Sequence, residues 1–311
     1  MSRWGLDAML AVQLRTAWRT IAGWVLGVVA GMVVTVTALR GTYGTPEEIA
    51  AYARTVGTGP AIRMLNGNVA GIDSFGGIVA NEFGFIASFA LPVMGIALVC
   101  RLTRREEEAG RLELLLASPI SRHAPLTGAL VITVAAAMAT AAGCAVVMIA
   151  EGVAGRSAVA YALAIAALVI VFAGLAAVAA QVFEHTRAAW GAALAAAVAA
   201  YVVRGVGAAR ETPLVWASPM GWFDEVRAMG EPRWWPLAIS LAAATALFAT
   251  AFALAARRDL GSSMLPVRRA PARASRLLVR PFGLAVHERR GAIAGWAGAA
   301  VVVMAMYGLL A

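Results

Sequence analysis

The sequence has 311 residues, of which 61% are hydrophobic and only 14% are charged, and its mean hydropathy is +0.77. A soluble domain carries roughly 25% charged residues, so this composition excludes an ordinary soluble protein. The formal net charge of +9 comes from 26 basic residues. All of them are arginines that lie mainly between apolar runs, which indicates membrane topology rather than nucleic-acid binding.

Several kinds of site are excluded by residue types that are missing or isolated. The chain contains no lysine, so it has neither a P-loop lysine to reach a nucleotide phosphate nor a Schiff-base amine. Cys100 and Cys144 fall inside apolar runs, and His123, His185 and His287 stand singly. No metal site, disulfide framework or cofactor is therefore predicted, and any ATP must be hydrolysed on another polypeptide.

The first segment is predicted to be an amphipathic elbow helix that lies along the inner leaflet before the chain turns into the membrane. A cleaved signal peptide ending near 36–38 is the alternative, but the apolar stretch is longer than a usual signal-peptide core. Arg15 and Arg19 lie roughly opposite an apolar face formed by Leu6, Leu10, Gln13, Leu14, Ala17 and Ile21.

Apolar runs of membrane-crossing length predict an all-α polytopic transmembrane bundle of about seven spans. Most of the arginines fall on one side of these spans, which places the N-terminus in the cytoplasm. The predicted spans are 20–39, 78–100, 125–150, 158–182, 188–204, 236–256 and 292–311.

The two longest predicted outer loops contain local structure signals. Thr45, Pro46 and Glu48 have the pattern of a helix start, with a capping residue, a first-turn proline and a reciprocal carboxylate, so a short outer helix is expected to about Arg54. The later loop, 205–235, favours an aromatic belt at the membrane interface over a substrate-gripping surface. Its tryptophans are Trp216, Trp222, Trp234 and Trp235.

The predicted span centres carry no charge, because Glu82, Glu151 and Glu184 lie at span ends. Transporters driven by protons or sodium usually need carboxylates near the middle of the membrane. Ser88 and Ser240 lie within spans but have no histidine nearby in the sequence. A proton-coupled exporter, a channel with a charged filter and an intramembrane hydrolase are therefore disfavoured.

Residues 101–123 form a predicted cytoplasmic segment with a charged start, an apolar patch at Leu112 and 114–116, and a helix stop at Pro119. Two interpretations of such a short amphipathic helix remain open on the residues alone. It can dock in a groove of a partner protein, or it can pack on the inner leaflet.

The run from Glu107 to Arg122 resembles the E-x-G-T-x-E-x-L-L-x-[ST]-P-[IV]-S-R signature of type-two ABC exporter permeases, with Arg111 in place of the commoner threonine. The resemblance implies that this segment is the coupling helix that docks on an ATPase subunit. A second predicted cytoplasmic contact consists of Glu184, His185 and Arg187. The implied docking residues are Glu107, Glu108, Gly110, Arg111, Leu112, Glu113, Leu116, Pro119, Ser121 and Arg122.

Residues 216–237 and 256–271 resemble the permeases of actinobacterial polyketide-antibiotic exporters of the tetronasin type. This resemblance implies a permease in the bacterial plasma membrane that exports large lipophilic antibiotics or similar amphiphiles. It also implies a partner ATPase dimer that holds ATP and Mg²⁺, while this chain itself has no cofactor.

Ile21 to Trp24 recur as Ile293 to Trp296, each at the start of a span after a basic segment, which indicates an internal duplication. We therefore expect a six-span permease module with its elbow helix at 1–256, an arginine-rich cytoplasmic linker at 257–290, and a seventh span at 291–311 that starts a second module. A second module or another copy would complete the path. A membrane-embedded lipid-modifying enzyme and a non-transport assembly factor remain alternatives.

Overall fold

The structure, a computed structural model, describes residues 3–56, 59–112 and 120–258, together with scattered positions after residue 258. Within that part of the chain the regular structure is helical, which confirms the predicted all-α class. The α-helices are α1 (Arg3–Thr42), α2 (Pro46–Val56), α3 (Pro60–Asn66), α4 (Phe75–Leu102), α5 (Arg104–Glu108), α6 (Ala124–Ala150), α7 (Gly155–Val182), α8 (Thr186–Ala209), α9 (Pro219–Glu225) and α10 (Trp235–Arg257), with a 3₁₀ turn at Pro213–Ala217.

Six of the described helical segments are long and apolar enough to cross a membrane: α1, α4 with α5, α6, α7, α8 and α10. They correspond to the first six predicted spans, so the chain is a multi-pass membrane protein. Most of the predicted seventh span at 292–311 and most of the predicted linker at 257–290 lie outside the described residues.

Helix α7 is the central helix of the bundle, because it packs against α4, α6, α8 and α10. Small residues allow these close approaches, as is usual where helices pack inside a membrane. A Cβ added at Gly95 of α4 would lie 2.4 Å from the carbonyl oxygen of Val169 in α7. Replacement of this glycine would therefore push the two backbones apart.

The N-terminal part of α1 packs on the protein rather than only on lipid. Ala17 is buried against the end of α4 and the start of α6, and Met9 is buried against Leu112 and the start of α6. Between them, the Nε2 of Gln13 donates to the carbonyl oxygens of Leu102 at 3.1 Å and Pro125 at 3.0 Å. Gln13, on the predicted apolar face of the elbow helix, thus joins the ends of two spans.

Helix α1 is continuous from Arg3 to Thr42, whereas the sequence predicts an elbow helix and then a turn. Leu14, assigned to the apolar face of that elbow, is 46% exposed, and Gln13 is 4% exposed. The buried stripe therefore keeps Gln13 and Ala17 of the predicted face, adds Met9 and leaves out Leu14. The physical reason is that two buried carbonyl groups of other helices select the glutamine side.

The predicted outer helix is confirmed as α2. The Oε2 of Glu48 accepts hydrogen bonds from the backbone N–H groups of Gly44 and Thr45, both at 2.9 Å. In return, the N–H of Glu48 donates to the Thr45 hydroxyl at 3.3 Å. This reciprocal pair is a capping box, and it fixes the start of the helix.

The outer tryptophans pack partly on one another. The rings of Trp216 and Trp235 stack with centroids 4.6 Å apart, and the Nε1 of Trp222 donates to the Trp216 carbonyl at 2.7 Å. Trp234 and Trp235 remain exposed. The exposed rings stay available for the membrane interface, in line with the belt interpretation.

A charged group lies in the core at the outer end of the bundle. The Nη2 of Arg204 donates to the Leu65 carbonyl at 3.2 Å and to the Ser88 hydroxyl at 3.1 Å. Its Nη1 lies 3.7 Å from Oδ2 of Asp224. The guanidinium also lies over the ring of Tyr201, 4.8 Å from its centroid.

The fifth span predicted from the sequence ends at residue 204. The structure corrects this: α8 continues to Ala209, and Arg204 is fully buried. The charge is tolerated inside the helix because Asp224, two oxygen acceptors and an aromatic ring surround it.

We predict that Gln13→Leu lowers the free energy of unfolding by about 1–3 kcal/mol, because it leaves the carbonyl groups of Leu102 and Pro125 without their buried donor. Equilibrium unfolding in mixed micelles measures this. The matched control is Thr16→Ala on the same helix, whose hydroxyl bonds only within α1, and which should change the value by about 0.5 kcal/mol or less. Equal effects of the two substitutions would contradict the assignment.

Burial raises the pKa of Asp224 from its ordinary 3.8 to about 7, while the nearby Arg204 guanidinium limits the rise. Between about pH 4 and 7 the folded chain then binds a proton that the unfolded chain has lost. We predict that the free energy of unfolding falls as pH rises through this range and that Asp224→Asn flattens the fall. The control is Asp73→Asn at an exposed position, and a profile unchanged by Asp224→Asn would refute the prediction.

Candidate functional site

The candidate site begins where α4 ends and a short helix, α5, leaves the bundle. The hydroxyl of Thr103 donates to the Val99 carbonyl at 2.6 Å, which closes the last turn of α4. Helix α5 ends at Glu108. The turn that follows contains Gly110, whose N–H donates to the Glu107 carbonyl at 2.9 Å and whose φ is +69°. A Cβ there would meet no atom within 4 Å, so the left-handed backbone, not lack of space, favours glycine. We call residues 103–112 the coupling segment.

A buried ionic bridge ties the coupling segment to α10. The Oε2 of Glu107 lies 2.8 Å from Nη1 of Arg104 and 2.9 Å from Nη2 of Arg258. The three side chains are 7%, 2% and 8% exposed, respectively. Because charges buried to this degree are stable only when paired, Glu107 holds the end of α10 against α5.

A second set of contacts ties the coupling segment to the loop between α7 and α8. The carboxylate of Glu108 accepts a hydrogen bond from the Thr186 hydroxyl, and its Oε1 lies 3.1 Å from Nδ1 of His185. The Nε of Arg104 donates to the Glu184 carbonyl. Two of the three residues predicted as a second contact, Glu184 and His185, are therefore in direct contact with the predicted coupling helix.

Arg187, the third residue of that predicted contact, is exposed on the wall of an open cavity of about 590 Å³. The cavity lies between the coupling segment and the start of α8. Its other lining residues are Arg105, Glu108, His185, Thr186 and Trp190.

The remaining predicted docking residues fall into four groups, of which the last, Ser121 and Arg122, leads into α6. Arg111 is exposed and forms a two-point ion pair with Glu106, at 2.7 and 2.9 Å. Leu112 is buried under the segment against Met9 and Ala124, rather than on its exposed side. Glu113, Leu116 and Pro119 lie outside the described residues.

After the gap in the description, Ser121 and Arg122 lead into α6. The Ser121 hydroxyl accepts a hydrogen bond from the His123 N–H at 3.4 Å. The Nη2 of Arg122 donates to the carbonyl oxygens of Ala255 at 2.9 Å and Arg258 at 2.8 Å. Arg122 therefore caps the end of α10, where a basic side chain also complements the helix dipole.

The sequence analysis missed four residues that hold the segment in place: Met9, Arg104, Thr186 and Arg258. Arg104 and Arg258 were interpreted only as signals of topology, because a basic residue at a span end has that meaning in every membrane protein. Their partners are far away in sequence, so no local pattern identifies them.

These contacts are suited to transmitting movement between helices rather than to catalysing a reaction. The coupling segment touches α1 through Leu112, the α7–α8 loop through Glu108, and α10 through Glu107. A force applied to its exposed residues would therefore reach three separate parts of the bundle.

Comparison with known proteins identifies the family. Residues 6–255 match the family described as the multidrug efflux system permease Rv1217c, C-terminal domain. The chain is 35% identical over 307 residues to the multidrug efflux system permease protein Rv1217c of Mycobacterium tuberculosis (strain ATCC 25618 / H37Rv). That alignment covers 98% of this chain and 55% of the relative, so the chain spans about half the length of the relative. The chain belongs to the Rv1217c family of multidrug efflux system permeases.

Proposed function

We propose that this chain is a membrane-spanning permease module of an ABC exporter that moves lipophilic antibiotics or similar amphiphiles out of the cell. ATP would be bound with Mg²⁺ and hydrolysed on a separate ATPase dimer, and a second permease module or copy would complete the path. The observation that carries the proposal is the coupling segment, which combines the type-two permease signature with direct links to α1, the α7–α8 loop and α10. Family membership and the six apolar spans support it.

The proposed mechanism is mechanical coupling at the cytoplasmic end. The exposed part of the segment, with Arg105, Glu108 and Arg111, would contact the ATPase. Closure of the ATPase dimer on ATP would move this part, and the ion pairs of Glu107 and Glu108 would pass the motion to α10 and to the α7–α8 loop. The bundle would then change from inward to outward access as packed helices shift together.

A lipophilic substrate is supported by a cavity of about 510 Å³ between α1 and α4. This volume lies in the range of drug-sized binding sites. The wall is almost wholly apolar, which suits a molecule that partitions into the membrane. Its lining residues are Thr20, Gly23, Trp24, Gly27, Val28, Gly31, Phe83, Ile86 and Ala90.

We predict that the purified chain retains an ATPase encoded by a neighbouring reading frame and that Glu113→Arg abolishes this co-purification, because it reverses a charge in the docking signature. The control is Glu47→Arg, which reverses an exposed charge on the outer helix α2 and should retain the ATPase. The proposal fails if no nucleotide-binding protein accompanies the wild-type chain, or if lipid-modifying activity appears in the chain alone.

We further predict that Glu108→Gln lowers drug-stimulated ATPase activity by about two- to thirtyfold, the range of typical coupling energies, while the ATPase still co-purifies. The substitution weakens the link to His185 and Thr186. Glu106→Gln is the matched control, because Glu106 is a neighbouring carboxylate whose ion pair with Arg111 stays inside the segment. Equal losses in the two variants would show that general charge, not the link to the α7–α8 loop, matters.

A further inference from the structure

Residues 212–226, between α8 and α10, form a small unit at the outer end of the bundle, which we call the outer flap. It contains the 3₁₀ turn and α9. The indole N–H of Trp222 donates to the Trp216 carbonyl at 2.7 Å, and a Cβ added at Gly221 would collide with the carbonyl oxygen of Val215. The 3₁₀ turn and α9 are therefore packed too closely to move independently of each other.

The backbone is strained on each side of the outer flap. Glu211, directly before it, and Arg227, directly after it, have φ values of +52° and +50°. Within the described part of the chain, these two are the non-glycine residues with positive φ. A side chain in this left-handed region is unfavourable, because Cβ approaches a carbonyl oxygen. Strained positions of this kind cluster at segments that switch between two arrangements.

A buried ion pair holds the flap against α8. The side chains of Arg204 and Asp224 are 0% and 6% exposed, and Nη1 of the first lies 3.7 Å from Oδ2 of the second. This distance is too long for a hydrogen bond. Among the described residues, neither of these two atoms has a hydrogen-bond partner, and nor does Nε of Arg204. The pair thus keeps two charges out of water without the hydrogen bonds that would compensate fully for their burial.

The other contacts of the flap with the spans are uncharged. The Ser218 hydroxyl donates to the Ala200 carbonyl of α8 at 2.7 Å. The ring of Phe223 meets that of Tyr161 in α7, with centroids 5.4 Å apart. Within the described part of the chain, the pair of Asp224 with Arg204 is the one ionic contact between the flap and a span.

We propose that the outer flap is a hinged lid, which moves away from α7 and α8 about Glu211 and Arg227 and is held closed by the pair of Arg204 and Asp224. Opening places both charged groups in water and lets the two strained residues return to negative φ. The role of this movement in releasing an exported molecule rests on the proposed function. The opening itself needs no ATPase, so it can be measured on the chain alone.

The test measures how fast a cysteine beneath the flap reacts with a water-soluble maleimide. Ala80 of α4 is buried and lines a cavity of about 30 Å³ together with Phe223 and Asp224, so Ala80→Cys reports uncovering. The native Cys100 and Cys144 are buried in spans and report global unfolding. The full chain is labelled in mixed micelles at about pH 8, above the raised pKa of Asp224 of about 7. We expect the introduced thiol to react at least about tenfold faster than the native thiols.

The ion pair is tested by two substitutions with opposite expected effects. Asp224→Asn leaves a buried guanidinium without its counter-charge and should speed labelling by at least about fivefold. Arg204→Met combined with Asp224→Leu replaces the pair by apolar side chains and should return the rate to that of the Ala80→Cys parent or below it. The Leu65 carbonyl is not left unpaired in this double variant, because it also accepts from the Tyr201 hydroxyl at 2.9 Å.

The hinge is tested by Arg227→Asn, because asparagine adopts the left-handed backbone more readily than arginine. The substitution relieves strain in the closed position and should slow labelling by about two- to tenfold. Arg233→Asn is the matched control. Arg227 and Arg233 are 44% and 43% exposed and pair with the same Oε2 of Glu225, at 3.5 and 3.4 Å, but φ is positive only at Arg227. The control should change the rate by less than about twofold.

The inference is overturned if the introduced thiol reacts no faster than the native thiols, or if the apolar double variant labels as fast as Asp224→Asn. Equal effects of Arg227→Asn and Arg233→Asn would also overturn it, and these two exposed substitutions decide the matter if a variant of the ion pair does not fold. If the flap opens as expected but no ATPase accompanies the chain, the proposed function fails and the hinged lid stands.

Discussion

The bridge from Arg104 through Glu107 to Arg258 is the interaction on which the end of the bundle predicted to be cytoplasmic depends. The carboxylate of Glu107 pairs with two guanidinium groups that are almost completely buried. Removal of one partner of a buried ion pair typically costs about 3–5 kcal/mol. The same bridge holds the coupling segment against α10, so the stability of this end and its proposed mechanical role rest on the same atoms.

The outer end of the bundle also contains a buried guanidinium group, which is stabilised by different kinds of neighbour. Arg204 is fully buried, but its neighbours are a carboxylate, two oxygen acceptors and an aromatic ring on different parts of the chain. Between these two ends the helices pack through small residues such as Gly95, where backbones approach too closely for a side chain. The described bundle is thus an apolar middle with buried, compensated charges at both ends.

This distribution of charges is consistent with the proposal that a partner protein supplies the energy for transport. Within the described spans, the carboxylate of Glu82 accepts a hydrogen bond from the hydroxyl of Tyr52 in the outer helix α2. Glu82 therefore connects α4 to the outer helix. In the coupling segment, in contrast, Glu107 is buried together with its arginine partners, whereas Glu108 and His185 are exposed at the surface.

The sequence by itself determined the features that depend on a short window of residues. Hydropathy located six spans, because a helix in lipid must satisfy its own backbone, and the pattern of Thr45 and Glu48 fixed the start of α2, because a capping box is local. The tertiary structure alone decided the features whose partners are distant. These are the burial of Arg204 within α8, the exposure of Leu14 on α1, and the pairing of Glu107 and Glu108 with Arg258 and Thr186. A charged residue gives the same sequence pattern whether its side chain faces lipid headgroups or a buried partner. Only the packing of separate helices distinguishes these two environments.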